Sequence, residues 1–205
     1  MKRALFLLAL WPLLAASTFS PPGTLLRHRF IVLPASQLFI SGKTNVNSFV
    51  CSIDKYCGRD TLELQEGGPN SRPVFLKGHV GLDASSFSCG MQMMTNDFGK
   101  TIKSKQYPQI TIDFRSFERV PRYDCDEEIL KGVLAISLAG MTRTFEMDCT
   151  LEAKPSGHFH LKGQRDFQFS DFKLEAPTRM MGMIKVQETL NVRFHLVLQL
   201  DTRYW

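Results

Sequence analysis

The chain has 205 residues, of which 43% are hydrophobic, 22% charged and 11% aromatic. That length and composition suit one large globular domain and exclude a disordered or collagen-like chain. Basic residues outnumber acidic ones 25 to 20; setting aside Lys2 and Arg3, which stand in a segment expected to be removed, leaves 23 against 20. So small an excess is no nucleic-acid footprint, and no nucleic-acid partner is expected.

Residues 1–20 read MKRALFLLALWPLLAASTFS. A basic start, an apolar run from Ala4 to Leu14 and a small-residue stretch are the three parts of a secretory signal peptide, with cleavage expected between Ala16 and Ser20. The run is short for a bilayer span, so an uncleaved anchor is the weaker alternative. The expected mature protein is a single domain over residues 21–205, soluble and exported to the periplasm or the medium. Export also lets disulfides persist.

The remainder is dominated by period-two alternation, the signature of strands with one buried and one wet face. In chain order, the apolar positions are Leu38 and Ile40, then Leu62 and Leu64, then Val74, Leu76, Gly78, Val80 and Leu82 read as one strand. Met91, Met94, Phe98 and Ile102 then recur at helical spacing, which predicts one helix over about residues 90–104, ended by Pro108. Alternation resumes at Ile110, Ile112 and Phe114. It continues through Leu130, Leu134, Ile136 and Leu138, which Ala139-Gly140-Met141-Thr142 turns back into Phe145, Met147, Cys149 and Leu151 as a hairpin. Phe159 and Leu161 follow, and the long stretch Leu190, Val192, Phe194, Leu196, Leu198 and Leu200 closes the series. Loops are expected at Gly67–Arg72, Pro121–Glu128 and Pro155–Gly157. These elements predict a mainly β fold, an antiparallel lipocalin-like β-barrel of about eight strands with one embedded helix, a sandwich being the alternative.

Catalytic chemistry finds little footing. There is no P-loop, no GxGxxG and no Gly-x-Ser-x-Gly, and no serine or cysteine has a sequence-visible base. His158 and His160 point to one face of a strand, as some metal sites require. Lys162 continues that face, and no neighbouring ligand completes a shell, so a solvated face is the better reading. His195 shares a polar face with Arg193 and Gln199 and reads as surface. Asp124, Asp126, Glu127 and Glu128 lack the spaced oxygens and glycine of a calcium loop. No catalytic residue, metal or cofactor is therefore expected. Five cysteines form no CxxC and no metal-knuckle spacing; the odd number leaves at least one unpaired, and Cys149 is expected as a buried thiol.

Methionine and phenylalanine carry more information. Six of the methionines fall in two clusters, Met91, Met93, Met94 and Met180, Met181, Met183, among nine in the chain, and there are sixteen phenylalanines. Methionine is flexible and polarizable and suits a surface that adapts to a long hydrocarbon chain; phenylalanine adds apolar area with no polar group to satisfy. A barrel burying so many of them must fill its interior or leave a greasy cavity.

Three stretches, in order, resemble the YceI-like family of exported lipid- and polyisoprenoid-binding proteins. They are SQLFISGKTNVNSFVC from Ser36; FSCGMQMMTNDFGKTIKSKQYPQITIDF through Phe114; and GVLAISLAGMTRTFEM after Lys131, continuing into FSDFKLEAP and GMIKVQETLNVRFHLVLQL. Their order and spacing, rather than any one motif, carry the resemblance. It implies a barrel with a long apolar cavity for a polyisoprenoid or similar amphiphile, and it makes a Cys51–Cys89 disulfide plausible. Many members have an arginine just before the Ser-Asp-Phe element, where this chain has Phe169. Cavity-lining residues are expected among Phe49, Met91, Met94, Phe98, Phe114, Phe169, Phe172, Met183, Val192, Phe194 and Leu196. A head group would meet Lys43, Asn45 or Asn47, or else Lys100 or Lys103, at the mouth. The expected function is non-enzymatic sequestration or carriage of the amphiphile, compatible with transient membrane contact and with a homodimer. A structural or interaction protein of the envelope, with a packed barrel, is the rival, and a small enzyme working inside the cavity is the third option.

Overall fold

A computed structural model describes residues 27–53, 55–65, 74–122 and 127–204. The signal segment, the expected loop Gly67–Arg72 and the positions Asp124, Cys125 and Asp126 lie outside these residues.

Alternating sequence becomes alternating burial. In β2 (Gln37–Lys43) Leu38, Ile40 and Gly42 are buried, and in β4 (Thr61–Gln65) Leu62 and Leu64 are. The other strands before the helix are β1 (Arg27–Val32), β3 (Ser48–Ile53), β5 (Val74–Lys77) and β6 (His79–Asp83). Helix α1 (Gln92–Thr101) is followed by β7 (Gln109–Phe117), β8 (Glu128–Leu138), β9 (Met141–Ala153) and β10 (His158–Gln168). The two-residue strands β11 (Thr178–Arg179) and β12 (Ile184–Lys185) form a small separate hairpin, and β13 (Thr189–Leu200) ends the sheet.

Two places differ from the alternation reading. The stretch from Val74 to Leu82 is two strands rather than one, because Gly78 adopts φ +127°; a Cβ there would stand 2.3 Å from the Thr61 carbonyl oxygen. The helix is shorter than about 90–104, since Lys103 turns to φ +56° after the Ile102 cap. The β8–β9 hairpin forms as expected, with Ala139 and Gly140 both at positive φ. That is the backbone a two-residue primed turn requires.

Every strand pairing is antiparallel, and together the pairings close a ring. From β13 the ring runs through β1, β4, β5, β7, β8, β9 and β10 and returns to β13. This is the lipocalin-like barrel, and its closure removes free sheet edges along the closed part of the ring. The ring is closed at one end only. One edge of β13 pairs with β1 at residues 198–200 and with β2 at residues 191–195, while β3 pairs with β2 and β6 with β7. At that second end no strand pairing joins β3 to β6 among the described residues; the Ser52–Ser88 bridge and a Cys51–Cys89 disulfide tie β3 to the turn before α1. The barrel is thus split at this end, and α1 packs against the core there through Met94 and Phe98. No residue of α1 is fully buried; Phe98 is half-buried against Phe87, with ring centres 5.0 Å apart.

Candidate ligand cavity

The closed end is solid. Phe114, Phe194 and Leu196, expected as cavity lining, surround a gap of only about 10 Å³, and Phe30, Leu62, Leu161 and Leu198 leave about 30 Å³. Phe114 and Phe194 meet edge to face with centroids 5.9 Å apart. They are core packing, the floor beneath any ligand.

Above that floor the interior opens. A mouth of about 290 Å³ lies between the β2–β3 turn, α1 and the β11–β12 hairpin. Of the sequence-predicted residues it brings together Phe49, Met91, Met94, Phe98 and Phe169. A second space of about 90 Å³ runs inward, lined by Phe98, Phe169, Phe172 and Val192 of the expected set. Ile40, Phe98, Phe169 and Leu190 border both, so the two spaces adjoin at these four residues. The inner one is lined by Leu82, Ile110, Ile112, Ile136, Leu138 and Leu174 besides, and the one polar residue along it, Gln168, is exposed. Phe169, just before the Ser-Asp-Phe element, is buried and adds a ring rather than a charge.

Phe49 reaches the mouth because its cross-strand partner is Gly42: a Cβ at Gly42 would collide with the Phe49 ring at 2.4 Å. Met183, expected in the lining, is on the hairpin and exposed. Among the head-group candidates, Asn47 lines the mouth, with its Oδ1 accepting from the Thr44 hydroxyl at 2.8 Å. Lys43 is exposed at the end of β2. Asn45 is a clasp instead: its Nδ2 donates to the Met183 carbonyl at 2.8 Å and its Oδ1 accepts from the Lys185 N–H at 2.9 Å. The hairpin is further fastened to the helix by Arg179 on Asp97. That pairing neutralises the one carboxylate at the mouth. Sequence reading missed Ile40 and Leu190 as lining, both plain alternating apolar positions, and Val186, which forms an isolated bridge to Thr44.

Among the described residues, the cysteines and histidines add no reactive centre to this hollow. Cys51 and Cys89 are bonded, Cys57 is an exposed thiol, and Cys149 is a buried one whose pKa burial pushes up to about 12. A thiol so hard to ionise is inert. On the outer face, His160 Nδ1 lies 2.7 Å from His195 Nε2, so these rings pair across strands rather than standing separately in solvent. Among the described residues no group of three or more His, Cys, Asp or Glu is placed to hold a metal ion.

Fold and hollow define the class: an antiparallel lipocalin-like barrel, packed at one end and apolar and open at the other. No family model matches the chain, and no curated protein does. Solved structures do. A polyisoprenoid-binding domain from Saccharophagus degradans, implicated in plant cell wall breakdown, superposes with TM-score 0.62 at 12% identity, covering 84% of this chain and 98% of that one. BcnA of Burkholderia cenocepacia follows with TM-score 0.58 at 16% identity, over 79% and 95%. A YceI protein of Campylobacter jejuni covers less, 62% and 72%, with TM-score 0.48 at 18% identity. At these identities the likeness to the first two establishes the fold, which is the one the YceI-like resemblance implied.

Proposed function

We propose that the protein is an exported, non-enzymatic binding protein that sequesters or carries a polyisoprenoid or another long-chain amphiphile. The observation that carries this reading is the two-part apolar hollow, open through a methionine-rich mouth. Burying a hydrocarbon chain needs no directed chemistry: each methylene contributes about 0.8 kcal/mol, so several suffice for useful affinity. Polar residues gather at the mouth, where Thr44, Asn47 and Thr101 could meet a head group. The shared fold with a domain described as polyisoprenoid-binding supports the ligand class, and the N-terminal basic-apolar-small plan supports export.

Native mass spectrometry of the purified protein, followed by organic extraction, tests the reading. A prenyl or fatty chain is expected in the extract, or else taken up by the extracted protein from added prenyl quinone or prenyl phosphate. Failure of both would overturn the proposal.

A further inference from the structure

The rim of the mouth carries an apolar surface beyond what the cavity needs. Six of the eight large apolar side chains exposed among the described residues stand there: Val46, Met91, Met93, Met180, Met181 and Met183. Met181 is fully exposed, and neither it nor Met183 lines the hollow. This tip is held rather than loose. Met180, Met181 and Gly182 are all at positive φ, a conformation that side-chain-bearing residues disfavour, and the Asn45 clasp fixes the strands beneath them.

Charge around the rim has one sign in excess. Lys43, Lys100, Arg179 and Lys185 are among or next to the residues lining the mouth, against one acid in that lining, Asp97, and Glu188 two residues from Leu190. Both acids are engaged, Asp97 by Arg179 and Glu188 by the Ser170 N–H at 2.8 Å, while the three lysines are exposed. Apolar tips bordered by lysines match an anionic lipid interface, where methionines enter the acyl boundary and ammonium groups meet phosphates.

The geometry points to the mouth docking face-on to an anionic lipid bilayer, with the hairpin tip inserted. This rests on the cavity being an amphiphile site: the rim and the hollow are continuous, so a chain passes from bilayer to barrel without crossing water.

Flotation of the full-length chain with phosphatidylcholine vesicles, with and without roughly one quarter phosphatidylglycerol, tests the docking. Stronger flotation with the anionic vesicles is expected, weakening as salt rises. Met181→Asp should lower the partition about tenfold, and Met181→Leu should preserve it. Absence of flotation overturns the proposal. So does equal flotation of the wild type and Met181→Asp, which would assign the contact elsewhere, for instance to the apolar run Ala4–Leu14. A dimer lost in Met181→Asp, without flotation, would assign the tip to a second copy of the chain and also overturn it. Uptake of a fluorescent long-chain probe in vesicle-free solution separates the two readings. Uptake without vesicle binding overturns docking alone; Met181-dependent vesicle binding without uptake supports the docking surface and overturns the cavity reading.

Discussion

Ser36 is buried where one edge of β13 passes from its pairing with β1 to its pairing with β2. At that switch Val197, paired with His160 of β10 on its other edge, faces no strand. Its carbonyl accepts from the Leu33 N–H at 2.8 Å, and its own N–H donates to the Ser36 hydroxyl at 2.9 Å. Ser36→Ala strands that buried N–H and is expected to cost about 1–2 kcal/mol, read as a lower denaturant midpoint at unchanged slope. The His160–His195 pair makes a pH prediction. Burial lowers both pKa values, opposed by Glu152 and assisted by Lys162, with Lys154 and His158 also acting on His160 and His160 on His195. Below the ordinary histidine pKa near about 6.5 the unfolded chain binds more protons than the folded one, so stability present above that pH declines as pH falls through the window beneath it. The melting temperature should drop between about pH 7.5 and about pH 5.5, and less steeply in His195→Gln. An identical slope in the variant would remove the pair as its cause. Glu152, held down to about 2 by Lys154 and Lys162, stays ionised throughout and adds nothing to that slope.

Helix α1 joins the barrel through few devices: the half-buried Met94 and Phe98, the buried Ile102 at its end, and the Cys51–Cys89 bond just before it. The bond closes a separation of 38 residues, for which chain entropy gives about 4 kcal/mol, with measured values for such bonds commonly 2–4. Replacing both cysteines by serine should cost about 2–4 kcal/mol and raise amide exchange in α1 and the β3 end more than in β8 and β9. Uniform loosening in hydrogen exchange would show that the bond does not specifically anchor the split end. Elements of this kind differ in how far their residues announce them. Helix α1, the β8–β9 hairpin and β13 were legible because each repeats one period over many positions. Strand β1 was not, because Arg27, His28 and Arg29 precede its only buried apolar pair, Phe30 and Val32. Two-residue strands such as β11 and β12 have no period to read. The site was legible in part for a similar reason. Clustered Met and Phe marked Met91, Met94, Phe98 and Phe169, but Ile40 and Leu190 at the waist of the hollow carry the same alternating signal as Phe194 and Leu196 in the solid floor. Pattern says which face points inward; only the summed volumes of opposing strands decide whether a void remains there.

At the scale of the molecule, the two ends of the barrel do different work. Full pairing through β1, β4 and β5 lets side chains fill the closed end, and the split between β3 and β6 gives the other end its opening. A ligand must then enter past α1 and the β11–β12 hairpin, and a long chain must pass the waist at Ile40, Phe98, Phe169 and Leu190 to reach the inner space. Leu190→Trp places added volume at that waist on a half-buried position, where the barrel wall is less constrained than in the floor. Keeping about three methylenes out of the inner space costs roughly 2 kcal/mol, a factor of about thirty in Kd. Long-chain amphiphiles should therefore lose about that factor in Leu190→Trp, measured by displacement of a fluorescent probe, while short-chain ones that stop in the mouth lose little. A melting temperature close to wild type shows that the barrel has closed around the new ring. Equal loss for short and long chains, or none for either, would mean that the chain does not thread the waist and that the inner space is a packing defect.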